Sequence, residues 1–329
     1  MRARNSVYRC FLHSAAVGLL ALAPGPAAGQ LTPEQIAEYR SGLGRRVEAL
    51  TVLGGDYGAS GASFSTSGGP EHTDLNLSKF GGAGDVGDPK PLGLLGLGWQ
   101  PVLQGEMGYA DAKTDFTTGI LTGDTSENKT FAIEFGGGAR FWFNDHLSLA
   151  PTVMGMYGHT ENDYTARNPG SIGLLPQAEA AGLVNWNADT WTIRPAANLR
   201  YVQSWRRTVF TLSSEFAYFH TESFHTSNPN LRINGDSEAW KNMLDVDIPL
   251  GKQLFGHELR TGGFFSRTDL YGDLKTGLNA DHVNEIHGRL VLDFLGKLWK
   301  VKWIGLGGSY LWGPNFDGWS VGADVEFKF

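Results

Sequence analysis

Charged and apolar side chains alternate with a period of two residues along segment after segment of this chain, and that pattern restricts its fold more than any other feature. In residues 131–143, Phe131, Ile133, Phe135, Gly137, Ala139, Phe141 and Phe143 share one face, opposite Glu134, Gly136, Gly138 and Arg140. In 284–295, Ile286, Gly288, Leu290, Leu292 and Phe294 oppose Glu285, His287, Arg289 and Asp293. In 238–248, Trp240, Asn242, Leu244, Val246 and Ile248 oppose Lys241, Asp245 and Asp247. A row of charge on one face of strand after strand is costly inside a dry core. It suits the wall of a wet lumen whose other face meets lipid. Alternation and turn residues predict twelve strands, near 60–67, 72–80, 93–110, 130–143, 146–160, 190–203, 207–220, 238–248, 255–270, 284–295, 299–312 and 318–329. Twelve is an even number, as a bacterial barrel of antiparallel strands requires.

The rest of the sequence agrees with an all-β, 12-stranded antiparallel transmembrane barrel. No apolar run reaches the roughly 18 residues of a membrane-spanning helix. Yet the chain holds 19 Phe, 10 Trp and 10 Tyr, and its 45 glycines in 329 residues are about twice the usual ~7%. Short connections at Asn144-Asp145, Gln203–Arg206, Pro249–Lys252 and Gly296-Lys297 alternate with long polar ones at 111–129, 161–189, 221–237 and 271–283. Short periplasmic turns and long external loops have this rhythm. Trp142, Trp205, Trp299, Trp303, Trp312 and Trp319 fall near strand ends, where interfacial aromatic girdles belong. The predicted inward set is Glu134, Arg140, Arg194, Arg200, Glu215, Lys241, Asp245, Asp247, Glu285, Arg289, Asp293, Asp324, Glu326 and Lys328. If water fills the bore, these side chains set its ion preference.

The N-terminus reads as a leader. Arg2, Arg4 and Arg9 precede the short apolar run Ala15–Ala23, and Ala27-Ala28-Gly29 offers small residues for cleavage. Residues 1–29 are therefore expected to be a signal peptide, followed by a helical segment (30–55) and the barrel (56–329). Loss of the leader makes the formal charge of −7 three units more negative, which argues against a nucleic-acid partner. Cys10 is the only cysteine, so the mature chain offers no disulfide, thiol nucleophile or cysteine metal site. Residues 31–53 carry helix signals: Thr32 as N-cap, Pro33 at the first turn, Gln35 closing a capping box, and Ile36, Leu43, Val47 and Leu50 on one face. About 20 residues span roughly 30 Å. A helix this charged is excluded from lipid. It lies either in the bore, where Arg40, Arg45 and Arg46 would pair with inward acids, or outside the barrel.

The last strand, GWSVGADVEFKF (318–329), resembles the assembly signal of Gram-negative outer-membrane barrels, carried by Val325, Phe327 and the terminal Phe329. That resemblance implies outer-membrane lipid, the barrel assembly machinery and periplasmic chaperones as partners. The runs LDVDIPLGKQLFGHELRTGGFFSRTDLYGDL (244–274) and HGRLVLDFLGKLWKVKWIGLGGSYLWG (287–313), with that strand, resemble the solitary outer-membrane autotransporter-like β-barrel family. The resemblance implies an autotransporter translocator standing alone after a helix, without a passenger. The expected role is structural or that of a small pore, open or plugged by the helix, and the resemblance brings no established activity, catalytic residue or cofactor with it. A closed barrel has no free sheet edge and demands no oligomer.

Two clusters suggest chemistry. FHTESFHTSNPNLRINGDSE (219–238) reads as a polar loop with turns at Asn228-Pro229 and Asn234-Gly235. Its His225-Thr226-Ser227-Asn228 run, with Glu238 downstream, resembles the His-x-Ser-Asn pattern of lipid A 3-O-deacylases. On that alternative Ser227 is the nucleophile, His225 the base and Glu238 its orienting group. Asp281, His282, Glu285 and His287 have the types of metal ligands, but 285 and 287 belong to the inward row, and no metal is expected.

Overall fold

The computed structural model describes residues 58–66, 71–93, 97–117, 121–278, 280–294, 301–314 and 316–327. The leader, the 31–53 helix with Arg40, Arg45 and Arg46, the turn at Gly296-Lys297, Trp299, Lys328 and Phe329 lie outside them. The strands are β1 (Gly58–Thr66), β2 (Glu71–Asp85), β3 (Lys90–Leu92), β4 (Leu97–Phe116), β5 (Thr125–Trp142), β6 (Leu147–Thr165), β7 (Trp186–Trp205), β8 (Thr208–Thr226), β9 (Asn234–Leu254), β10 (His257–Tyr271), β11 (His282–Asp293), β12 (Val301–Trp312) and β13 (Phe316–Phe327). Among the described residues two helices interrupt the series, α1 (Pro169–Ala180) and α2 (Gly272–Leu278). Each long strand pairs antiparallel with the next. β2 pairs with β4, Leu77 facing Ala110, and β1 pairs with β13, Gly61 facing Val321. These two ladders close a 12-stranded barrel, with three-residue β3 laid against the foot of β4.

The wall is inside-out relative to a water-soluble protein. Leu306, Phe135, Val153 and Ile286 expose half or more of their surface, whereas Glu134, Arg194 and Asp293 are buried. Apolar side chains thus face lipid and charged ones face inward, in the alternation the sequence carries. Glycine permits close contact on the inner face of β5. A Cβ on Gly136 or Gly138 would stand 2.2 Å from the Val153 carbonyl oxygen or 2.0 Å from that of Pro151.

The strands run further than alternation alone predicts. β7 has 20 residues and β9 has 21, against the ~9–11 that cross a bilayer. Part of the excess lies on the external side, where β6 and β7 enter the expected 161–189 loop and β8 and β9 the expected 221–237 loop, and part on the periplasmic side, where β7 runs on to Trp205 and β9 to Leu254. Above the membrane both faces of a strand meet water or polar neighbours. The two-residue alternation fades there while the backbone ladder continues.

The expected 161–189 loop also contains α1. Asn168 caps it, its side chain accepting from the Gly170 N–H, and Pro169 follows in the first turn. Leu121, Leu183, Val184, Leu231 and Ile233 pack with Ala178 of α1 into a second apolar cluster, so three external connections form one plate.

The short turn expected at Asn144-Asp145 is present at 143–146, whereas the one expected over Gln203–Arg206 narrows to Arg206-Arg207 because β7 stays paired to Trp205. Asn144 accepts from the His146 and Leu147 N–H groups, and Arg206 takes a positive φ of 57°. The turn expected at Pro249–Lys252 lies instead at Phe255-Gly256, with φ of 52° and 77°. Arg260 faces Pro249 and Leu259 faces Lys252, so Leu250 and Gly251 bulge out of β9. A proline without an N–H and a glycine at φ 67° mark a bulge as readily as a turn.

Two of the expected girdle tryptophans face inward. Trp142 Nε1 donates to Gln100 Oε1 at 2.9 Å, and the Arg289 guanidinium lies 5.4 Å over the Trp303 ring. Their places in the alternation decide this, since they share the faces of Arg140 and Asp293. Trp205, Trp319, Tyr310, Tyr157, Tyr109 and Phe255 supply exposed aromatics toward the two strand ends.

Placing a charge on the lipid face tests the orientation. Leu306→Arg should destabilise the folded barrel by about 2–4 kcal/mol, the usual cost of arginine near the bilayer midplane, in urea titrations in lipid vesicles. A cost below ~1 kcal/mol would mean that this face does not meet hydrocarbon.

Candidate functional site

The charged interior is built by register. Antiparallel pairing sets inward residues of adjacent strands side by side, and acids meet bases across the ladders. Arg194 on β7 donates from Nε to Glu134 Oε1 on β5 at 2.6 Å, and its Nη1 lies 3.5 Å from Glu215 on β8. Arg289 on β11 grips Asp245 on β9 with two hydrogen bonds, at 2.6 and 2.9 Å. Such forked contacts hold a guanidinium in one plane. Arg260 on β10 bonds Asp247 at 2.5 Å and lies 3.7 Å from Asp293. His287 sits between Asp324 at 3.1 Å and Ser309 at 2.9 Å. The Arg194 and Lys241 cations lie 5.9 and 5.8 Å from the ring centroids of Phe219 and Phe264.

Every described member of the expected inward set stands on the inner wall. Glu134, Arg140, Arg194, Asp247, Glu285 and Asp293 are buried, and Arg200, Glu215, Lys241, Asp245, Arg289, Asp324 and Glu326 are half-buried. Sequence reasoning missed Lys79, Asp85, Glu106, Arg260 and Lys302. Lys79 pairs with Glu106 at 2.8 Å, Asp85 accepts from Arg140 at 2.9 Å, and Lys302 meets Glu326 at 3.0 Å. β2 extends to Asp85, beyond the expected end at 80, and Glu106 is a lone acid in an otherwise apolar and glycine-rich stretch. The signal for both was the parity they share with inward neighbours.

The hydrolase residues do not converge. His225 lies on β8, not in a loop, and its Nδ1 is 3.1 Å from Asp189 on β7. Ser227 Oγ donates to the Asn187 carbonyl at 3.3 Å and accepts from its N–H at 2.8 Å. Glu238 on β9 stands opposite Tyr218. Tyr218 is seven residues down β8 from His225, roughly 23 Å at the strand rise. Glu238 therefore does not orient His225.

The 281–287 cluster is divided as well. His282 shares the outward parity of exposed Ile286 and bonds Asp281 at 2.6 Å, while Glu285 and His287 point inward. Among the described residues no group of three or more His, Cys, Asp and Glu is arranged to hold a metal.

A site with no sequence signal lies in the external plate. Asp124, just before β5, is fully buried. It accepts from Tyr164 Oη at 2.6 Å and from the Arg167 and Asn168 N–H groups at 2.5 and 2.9 Å, which ties the entry of α1 to β5. Burial favours its protonated form, but hydrogen bonds from Ser171, Tyr164 and the two amides outweigh this and hold the carboxyl below its ordinary value.

The solitary outer membrane autotransporter beta-barrel domain matches residues 95–322. The transport unit of the autotransporter AIDA-I from Escherichia coli superposes with a TM-score of 0.53 at 12% identity, covering 88% of this chain and 100% of that one. The beta domain of the Bordetella autotransporter BrkA gives 0.50 at 13% identity, covering 83% and 99%. At such identities the likeness is one of fold. None of the curated proteins matches the sequence significantly.

Two outcomes follow from this geometry. Arg194→Ala leaves Glu134 buried without its closest partner and should cost about 3–5 kcal/mol, whereas Arg194→Met with Glu134→Leu should recover most of that loss. Equal urea midpoints for the single and double variants would show that the pair is not coupled. Asp124 titrates lower folded than unfolded, so its contribution is complete above the ordinary carboxylate pKa and is lost as pH falls through the folded value. Protection from amide exchange across 166–181, relative to the intrinsic rate at each pH, should be high at neutral pH and fall in acid, and Asp124→Asn should lack it at neutral pH already. Slow exchange in that variant would remove Asp124 as the tie.

Proposed function

Since the chain belongs to the solitary outer membrane autotransporter β-barrel family, resident in the Gram-negative outer membrane, we propose that it works as a small pore. Its charged interior forms the passage, and residues 31–53 plug it. The observation that carries this reading is the row of charge facing away from lipid. Buried charge is costly unless paired or wetted, and here it recurs on the inner wall of strand after strand. Inward carboxylates (Asp85, Glu106, Glu134, Glu215, Asp245, Asp247, Glu258, Glu285, Asp293, Asp324, Glu326) outnumber inward cations (Lys79, Arg140, Arg194, Arg200, Lys241, Arg260, Arg289, Lys302) among the described residues. A surplus of acid favours cations in the passage. It also suits a helix bearing Arg40, Arg45 and Arg46.

The test is single-channel recording from the refolded mature chain, beside a version lacking residues 31–55. The intact chain should show brief small steps and the shortened one steps several-fold larger, both reversing on the cation side in a KCl gradient. Two folded barrels that both stay silent would end the pore reading. The barrel would then be structural.

A further inference from the structure

The geometry points to α2 as a built-in lid, which folds into the external mouth of the barrel and completes an apolar layer over the charged interior. External connections normally stand in water. Yet Leu274, in the middle of this one, exposes none of its surface. Leu278, one helical turn on, packs on the same side. Both join a contiguous cluster that includes Phe64, Leu77, Met156, Phe219, Leu270 and Leu311. Every barrel strand from β1 to β12 contributes to it, β7 through half-buried Ala196.

These side chains occupy the inner wall level with the uppermost charged residues and one to two inward positions above them: Met156 faces Glu134 and Leu311 faces Glu285 across the ladders, and only Ala196 lies below its neighbour Arg194 on β7. Ala132 is two residues above Glu134 on β5, and Ala239 two above Lys241 on β9. A path from outside to the charged interior therefore crosses a belt of apolar groups. Narrow apolar belts shed water and block ions without any charged barrier.

The inward fold of α2 is specified locally. Gly272 takes φ 61°, and a Cβ there would stand 2.5 Å from the Asp236 carbonyl oxygen. Glycine thus lets the chain turn in against β9. The Leu274 N–H donates to Ser237 Oγ at 3.1 Å, and Asp273 Oδ2 accepts from the Asp236 N–H at 3.2 Å. These contacts latch the first turn of the lid to β9, and Gly272 is the point at which the chain turns inward. Access to the interior is then controlled from outside, whether or not ions pass through the whole barrel.

Thiol labelling tests this independently of conductance. Ser266 is buried and inward on β10, below Leu270. In the full chain with Cys10→Ser, Ser266→Cys reports wetting beneath the layer when a charged, membrane-impermeant maleimide is added outside intact cells. With native α2 it should stay unlabelled, and adding Leu274→Asn should speed labelling at least ten-fold. Rapid labelling with native α2 overturns the lid. So does protection that survives Leu274→Asn in a barrel that keeps its folded mobility on gels. If that variant fails to assemble, Gly235→Cys with Asp273→Cys tests the seat. A Cβ on Gly235 would stand 4.0 Å from that of Asp273, within disulfide range. A spontaneous crosslink supports the lid, and two free thiols overturn it.

Discussion

Backbone hydrogen bonding in hydrocarbon is the constraint on which everything else in this barrel depends. Lipid offers no partner for an N–H or C=O group, so a sheet that crosses it must close on itself. Two ladders achieve closure here. β1 sits between β13 and β2, and β2 continues to β4, so the first and last strands of the barrel satisfy each other. Glycine makes some of these pairings close. A Cβ on Gly322 of β13 would stand 2.2 Å from the Ala59 carbonyl oxygen.

Closure leaves each strand one face for lipid and one for the interior, and the side chains divide accordingly. The interior pairs are not there because ion pairs are strong. A buried pair often gains little over apolar groups of the same shape, although breaking it is expensive. Their structural effect is to lock neighbours. Arg194 links β5, β7 and β8, and Arg260 links β9, β10 and β11. The apolar belt begins level with the uppermost charged residues and, with α2, continues above them toward the outside.

Beyond the membrane the physics changes. Strands extend into water, and their outer faces carry His–carboxylate contacts such as His159 with Asp189 at 2.7 Å and His220 with Asp236 at 2.8 Å. Three connections condense around α1 on a buried carboxylate. This external plate has an apolar cluster of its own, separate from that of the bore.

The sequence by itself determined the barrel, the strand number and, for most of the charged side chains, which face in. Alternation of period two is a local property, and one parity error would turn a whole strand inside out. Glu134, Arg194, Asp245 and Arg289 were therefore legible as inward before any partner was known. Only the tertiary structure decided that Arg194 meets Glu134 across β6, that His225 lies far from Glu238, and that Asp124 anchors α1. It likewise decided that Leu274 is dry, although it lies in an external connection. Each of those facts joins segments tens of residues apart through register and loop path, and local patterning carries no record of either.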